Sequence, residues 1–517
     1  MEIVDNKVLL LNLKKPDRVT AIIPKSKTLE VLPNGISKVA VHWGLEEAQV
    51  LKNIGVKNVP SPIVGHYEFR GLYKPFKHQI ETASFLTLHR RAFCFNEQGT
   101  GKTASVIWAA DYLMKLGFIR RVLVVCPLSI MQSAWQDDLF KFAMHRSCDV
   151  AHGTPDKRKK VVNGHAEFVI INFDGVEIIA EEIDKNNFDL IVIDEANAYK
   201  TISTRRWKVM NKLVGSTRWL WMLTGTPAAQ SPEDAYGLAR LVCPDRVPKF
   251  VGSWRDKVMW KATQFRWLPK DNASQTVHEA LQPAIRFTKA ECLDLPEMSY
   301  ETRQVPLTKQ QEKYYHQMKQ QALLVAAGEE VSGVNAAAVL NKLLQISAGA
   351  VYSDGGEVIE FDCSNRLSEL EAVLAETSHK SLIFVPFKHA INVVSDFLTR
   401  KGYPNEIING EVSARARTDI FRRFQSEATP KVLVIQPQAA AHGVTLTAAN
   451  TIVWFGPTTS LETYLQANAR VHRHGQHNPV TVVHLEGSPA EKRIYKMLQS
   501  KLDVHQQIIS LYRELTT

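Results

Sequence analysis

Eight consecutive residues, Asn96-Glu97-Gln98-Gly99-Thr100-Gly101-Lys102-Thr103, have the makings of a loop that holds phosphate. Glycines let successive backbone N–H groups converge on phosphate oxygens. Lys102 can neutralise charge on the β and γ phosphates, and the Thr103 hydroxyl can ligate Mg2+. The apolar run Ala92 to Phe95 leads into the loop and a helix-like stretch, Ala104 to Leu116, leaves it, so a helix N-terminus adds its positive dipole. The strict pattern has glycine where Asn96 stands. The plain alternative is an ordinary strand-to-helix turn that happens to contain Gly-Lys-Thr.

A second constellation follows about ninety residues later, where Leu190-Ile191-Val192-Ile193 ends in Asp194-Glu195-Ala196-Asn197. Here an apolar strand delivers two carboxylates at its C-terminal edge, the place where open α/β sheets bind ligands. Asp194 would hold Mg2+, and Glu195 would orient or deprotonate the attacking water. Alone, the pair could be an acidic helix cap. Beside a phosphate loop, the catalytic reading gains.

These groups need a scaffold, and the chain supplies short, almost wholly apolar runs separated by helix-length stretches. The first series is Ala92 to Phe95, Val122 to Cys126, Phe168 to Ile171, Leu190 to Ile193 and Trp219 to Leu223. The second is Ser381 to Val385, Glu406 to Ile408, Val432 to Ile435, Thr451 to Phe455 and Val480 to Leu485. Such runs fit strands buried on both faces of parallel sheets with helical crossovers. The expected fold class is α/β: two RecA-like parallel-sheet lobes with helical insertions, preceded by a small α+β N-terminal domain. The expected divisions are residues 1–65, an accessory domain; 66–295, an ATP-binding lobe; and 296–517, a second lobe with a helical insertion over Thr308 to Ala348. Within the first of these, β-like runs are expected at Val8 to Leu13, Val19 to Ile23, Thr28 to Leu32 and Val39 to Trp43, then a helix from Leu45 to Ile54. Pro60-Ser61-Pro62 reads as a linker.

The 517 residues suit more than one domain. Sixty-three Lys and Arg against 53 Asp and Glu, a net +10, favour a polyanionic partner. The six cysteines, Cys94, Cys126, Cys148, Cys243, Cys292 and Cys363, form no Cys-x-x-Cys pair, which argues against a zinc ribbon or a disulfide framework. No apolar run approaches the roughly 18 to 20 residues that span a bilayer, and the N-terminus lacks the basic start of a secretory signal. A cytoplasmic protein without a membrane partner is expected.

Further segments fall in a telling order: Lys74-Pro75-Phe76-Lys77-His78-Gln79, Val124 to Ser129, Leu223-Thr224-Gly225-Thr226-Pro227, Arg286-Phe287-Thr288-Lys289, Asn409-Gly410, Phe421 to Phe424, Gly443-Val444-Thr445-Leu446 and Gln466 to Gln476. With the phosphate loop and Asp194-Glu195, this set resembles the Swi/Snf family of superfamily-2 motors over roughly Pro75 to Val504. The Asn at position 96 fits, since that family commonly carries an acidic or polar residue there. The resemblance implies ATP and Mg2+ as cofactors, with Gln79 on the adenine and Gly99, Thr100, Gly101, Lys102 and Thr103 on the phosphates. It places Pro127, Ser129, Asn172, Thr226 and Gly443 near a tracked DNA strand. Arg470 and Arg473, three apart on an expected helix, share a face and would act as arginine fingers on the transferring phosphoryl group; surface ion pairs are the alternative.

The activity implied is ATP-driven translocation on double-stranded DNA that remodels DNA or displaces bound protein without general strand separation. A strand-separating helicase and an ATP-gated nucleic-acid-binding switch are the rivals. The lack of long appendages suggests a compact bacterial or phage-type member, nucleoid-associated, with any protein partner held by the N-terminal domain. Asn197 replaces the family's usual His, Ala440-Ala441 a usual Gly pair and Thr445 a usual Asn, which bears on how hydrolysis couples to nucleic acid. Other signals read as structural. His472, His474 and His477 lack zinc-site spacing. Lys157 to Lys160 reads as a solvated loop, and Arg205-Arg206-Trp207-Lys208 either touches a phosphate or packs.

Overall fold

The computed structural model describes residues 1–215, 218–228, 231–263, 266–292, 295–328, 333–352, 358–440 and 444–500. The chain divides near Cys292 into two compact units. Among the described residues, no helix is long and apolar enough to cross a membrane.

The first unit is built on a seven-stranded parallel sheet. Its spatial order is Ala284–Ile285, Arg91–Cys94, Trp219–Leu223, Leu190–Asp194, Val122–Cys126, Phe168–Asn172 and Cys148–Ala151. The central strands have no polar face because helices cover both sides, and every residue of Val122–Cys126 and of Trp219–Leu223 is buried. Each fully buried aliphatic side chain contributes about 1.5–3 kcal/mol, so a five-residue strand suffices to anchor a crossover. The second unit repeats this plan with six parallel strands in the order Met298–Gln304, Val480–Glu486, Ala449–Trp454, Lys380–Phe384, Val432–Ile435 and Asn405–Ile408. These are the two RecA-like α/β lobes that the apolar runs imply. The helical insertion is two helices, Lys309–Gly328 and Gly333–Ser347.

A four-stranded antiparallel sheet, ordered Glu2–Val4, Val8–Leu13, Ser37–His42 and Ser26–Val31, forms the N-terminal module. The run expected as a strand at Val19 to Ile23 differs: Asp17–Thr20 is a single helical turn, because Pro16 at its N-cap fixes φ at −62° and Val19 and Ile23 are buried as anchors. Pro60-Ser61-Pro62 is no free linker. The Trp43 indole N–H donates to the Pro60 carbonyl at 2.9 Å, and the Ser61 and Thr87 hydroxyls meet at 2.7 Å in a buried contact. Gln49 and Lys52 add bonds to the Thr87 and Leu88 carbonyls, fastening the module to the helix Lys77–Thr87 of the first lobe.

Candidate nucleotide site

The strand registers bring the chemistry-bearing residues of the first unit to one edge of its sheet. Leu223 pairs with both Cys94 and Asp194, Val125 with Ile193, and Cys126 with Asn172. All five strands therefore end together, and the segments that follow them carry the phosphate loop, Asp194-Glu195, Thr226, Pro127 to Ser129 and Asn172.

The loop is held from beneath by its own side chains. Gly99 and Gly101 have φ of +86° and +77°, which glycine adopts without a steric cost. A Cβ on Gly101 would collide with the Gln79 amide, so Gln79 and Gly101 are fitted to each other. The Phe76 N–H donates to Gln79 Oε1 at 3.0 Å, and the His78 ring and Gln79 Nε2 lie 2.8 and 3.4 Å from the Thr100 carbonyl. The Thr100 hydroxyl donates to the Glu97 carbonyl at 2.7 Å. Lys102 opens the helix Lys102–Lys115, and its ammonium donates to the Asn96 carbonyl at 2.8 Å and the Glu97 carbonyl at 3.3 Å. Thr103 follows, half-buried at the first turn.

Asn96 is a tie. Its Nδ2 donates to Thr82 Oγ1 at 2.8 Å and its Oδ1 accepts the Phe287 N–H at 3.0 Å. Arg286, 7% exposed, donates to the Phe95 carbonyl at 2.7 Å and pairs with Glu97 at 3.3 Å; Glu97 also accepts the Lys289 N–H at 2.9 Å. A segment nearly two hundred residues downstream thus buttresses the phosphate loop. The sequence offered Arg286 only as part of a motif, because its partners lie so far away in the chain.

Asp194 and Glu195 are held differently. The Asp194 carboxylate accepts the Trp135 indole N–H at 3.0 Å on one oxygen and the Glu195 N–H at 2.9 Å on the other. Burial pushes the Asp194 carboxyl above its usual range, and the Lys102 ammonium and the indole bond pull against that rise. Trp135 comes from a π-helical turn, Met131–Gln136, a geometry that reorients a side chain within a helix and that no simple periodicity in the sequence signals. Glu195 sits at φ +50°, ψ +54°, a left-handed conformation that strains a non-glycine residue by about 1–3 kcal/mol. Gln98 of the phosphate loop donates to its Oε1 at 3.4 Å. Asn197 donates both to the Thr226 carbonyl and to its hydroxyl at 3.0 Å, joining the two motifs.

Of the residues assigned to DNA, Pro127 is half-buried and Ser129 exposed at the sheet edge, while Asn172 and Thr226 are buried. Gly443 lies outside the described residues, as does Ala441. In the second unit the helix Leu461–Asn468 ends before Arg470 and Arg473, so the shared helical face expected for them is not present. The segment is instead fixed by Gln476, whose amide donates to the carbonyls of Thr447, Ala449 and Val471, beside Gly475 at φ +92°. Arg470 is 6% exposed, and Arg473 donates to the Val444 carbonyl at 3.1 Å.

Of the two basic runs, one departs from expectation and the other takes the packed alternative. Lys157 to Lys160 lies in a helix, Pro155–Val162, capped by Thr154, and Arg158 is buried with its Nε on the Gly153 carbonyl at 3.0 Å. Trp207 packs, with its indole N–H on the Gly237 carbonyl at 2.9 Å, and Arg206 pairs with Asp174 at 2.8 Å. The His472 Nε2–H donates to the Pro296 carbonyl at 2.8 Å.

Residues 74–348 match the SNF2-related domain, and residues 365–475 match the helicase conserved C-terminal domain. The mouse chromodomain-helicase-DNA-binding protein 1-like is 26% identical over 462 residues, which are 84% of this chain and 50% of that protein. An uncharacterized ATP-dependent helicase of Mycoplasma genitalium is 24% identical over 79% of this chain and 39% of its own length. Putative protein p41 of Acyrthosiphon pisum secondary endosymbiont phage 1 is 25% identical over 80% of this chain and 92% of its own. The chain spans half or less of the length of the first of these relatives. A solved structure, the Sulfolobus solfataricus SWI2/SNF2 ATPase core in complex with dsDNA, aligns with a TM-score of 0.43 at 24% identity, covering 86% of this chain and 94% of that one.

Proposed function

Because the chain belongs to the SNF2-related family, whose domain matches residues 74–348, we propose that it hydrolyses ATP on double-stranded DNA and converts the energy into movement along the duplex. That movement would remodel DNA or displace bound protein without general strand separation. The observation that carries the reading is the convergence of Lys102, Asp194, Glu195 and Gln79 at one sheet edge.

The residues fit Mg-ATP. The loop's left-handed glycines at Gly99 and Gly101 give the backbone turn through which successive N–H groups can converge on phosphate, and Gln79 packs directly against Gly101. Bound there, ATP supplies the phosphoryl group and Mg2+ supplies charge neutralisation. Gln79 orients the base, Gly99, Thr100 and Gly101 present N–H groups, and Lys102 leaves the loop carbonyls for phosphate. Thr103 and Asp194 are oxygen donors suited to the metal. Glu195 positions and deprotonates water, aimed by its strained backbone and by Gln98. Arg470 and Arg473 act as arginine fingers. Pro127, Ser129, Asn172, Thr226 and Gly443 border the tracked strand, with Ser129 offering a side chain and buried Asn172 and Thr226 shaping the backbone. Sequence-independent phosphate contacts of this kind give a grip that weakens steeply with salt.

The test is ATP hydrolysis with duplex DNA, single-stranded DNA, RNA or no nucleic acid, run beside displacement of a triplex strand and unwinding of a fork. Duplex-stimulated hydrolysis with triplex displacement is expected. Stimulation by RNA alone or efficient fork unwinding would refute the reading, and hydrolysis without displacement would favour a switch. Lys102→Ala and Glu195→Gln should each abolish turnover, and full turnover in either would overturn the site assignment.

A further inference from the structure

Between Arg246 and Lys270, seven basic residues stand against one acidic residue, Asp256, so these 25 residues hold a net +6 of the chain's +10. They form a helix, Val251–Val258, running directly into a two-stranded hairpin, Met259–Thr263 with Arg266–Pro269, that belongs to neither parallel sheet. The root is firm. Trp254 is fully buried beside Tyr236, Val258 and Met259 are buried, and the Lys270 N–H bonds the Val258 carbonyl at 3.0 Å.

Beyond the root the surface changes character. Trp260 is 48% exposed and Phe250, at the other end of the helix, 69% exposed, with Val251 beside it. Arg255 is committed to Glu233 and lies 5.5 Å over the Trp267 ring. Lys249, Lys257 and Lys261 are exposed and make no ion pair with any described residue. Lys249 lies 5.9 Å over the Phe250 ring, a contact within the fold. Trp260, by contrast, is exposed between Lys257 and Lys261 in the sequence, with no cation over its ring among the described residues. A protein partner would account for the rings but not for the charge, whereas a polyanion with flat faces accounts for both. Duplex DNA offers phosphates and hides its base faces. A single strand offers both.

We propose that this hairpin and helix form a second nucleic-acid contact that stacks Trp260 and Phe250 on unpaired bases of single-stranded DNA, with Lys249, Lys257 and Lys261 on the flanking phosphates. The proposal refines the duplex-motor reading on which it rests: the favoured substrate is a duplex bordered by a single-stranded tail.

Fluorescence anisotropy of the full chain with blunt duplex, tailed duplex and oligo-dT tests it. Wild type should prefer tailed over blunt duplex. Trp260→Ala should weaken tailed-duplex and oligo-dT binding on the order of tenfold while leaving blunt-duplex affinity and duplex-stimulated hydrolysis unchanged. Trp260→Phe should restore most of the loss, and Phe250→Ala should add to it. Unchanged tailed binding in Trp260→Ala, or an equal loss on blunt and tailed DNA, would overturn the proposal. Absence of duplex-stimulated hydrolysis in the wild type would count against the motor reading alone, since the tail preference is measured without ATP.

Discussion

Asn96 makes two hydrogen bonds that no glycine could make, to Thr82 on the helix Lys77–Thr87 and to the Phe287 N–H beside the edge strand Ala284–Ile285. From sequence the residue departs from the strict phosphate-loop pattern and fits the resembled family, but its partners, 14 and 191 positions away, are invisible to any local rule. The departure trades a flexible position for a clamp that sets the loop's height above the sheet. Asn96→Gly, which restores the strict pattern, should therefore destabilise the first unit. With Asn96 1% exposed, losing both bonds and unpairing the Phe287 amide costs about 1–3 kcal/mol. Each kcal/mol lowers the melting temperature by roughly 2–4 °C for a unit of this size. Calorimetry of the two proteins decides it, and an unchanged melting temperature would remove the clamp from the account.

At the scale of elements, legibility tracked burial. Val122–Cys126, Trp219–Leu223 and Val432–Ile435 have the bounds expected from their apolar runs, because a strand covered on both faces must be apolar throughout. The edge strand Met298–Gln304 was invisible for the converse reason: five of its seven residues are exposed, and its place is set by pairing with Val480–Glu486, not by hydrophobicity. The hairpin at Met259–Thr263 escaped notice among polar residues in the same way. Val480–Glu486 also carries His484, half-buried against Tyr464, whose hydroxyl lies 2.8 Å from its Nε2. Burial pushes that imidazole from 6.5 down to about 4. Between those values the unfolded chain holds the proton and the folded one does not. The stability is therefore fully present above pH 6.5 and is lost as pH falls toward 4. At about 1.4 kcal/mol per unit, the upper bound is roughly 3 kcal/mol. His89, pushed down to about 4 and bonded to the Phe85 carbonyl, acts with the same sign in the first unit. Melting curves from pH 7 to 5 should fall less steeply for His484→Gln than for the wild type, and equal slopes would clear His484 of the effect.

For the molecule as a whole, the phosphate loop and Asp194-Glu195 belong to one unit and Arg470 and Arg473 to the other, each unit with its own sheet and core. The sequence order of the motifs made this partition readable, while the loss of helix after Asn468 was not, because Gln476 acts through the Thr447 and Ala449 carbonyls, contributed by a different part of the lobe. If the arginines complete the hydrolytic site, hydrolysis depends on both units and can be tied to their movement. If they are structural, their loss is a matter of stability. Arg470 is too deeply buried to separate these outcomes, but Arg473 is half-buried, so the melting temperature of its alanine variant can be read beside the rate. Arg473→Ala should lower the maximal rate of ATP hydrolysis by about 10³-fold or more, the range for losing an arginine finger, while nucleotide affinity changes only a few-fold and the melting temperature holds. Measuring all three on one preparation separates the cases. A fall in melting temperature with the rate per folded molecule preserved would make Arg473 a packing residue, and the energy conversion would then have to rest on Arg470 or on the first unit alone.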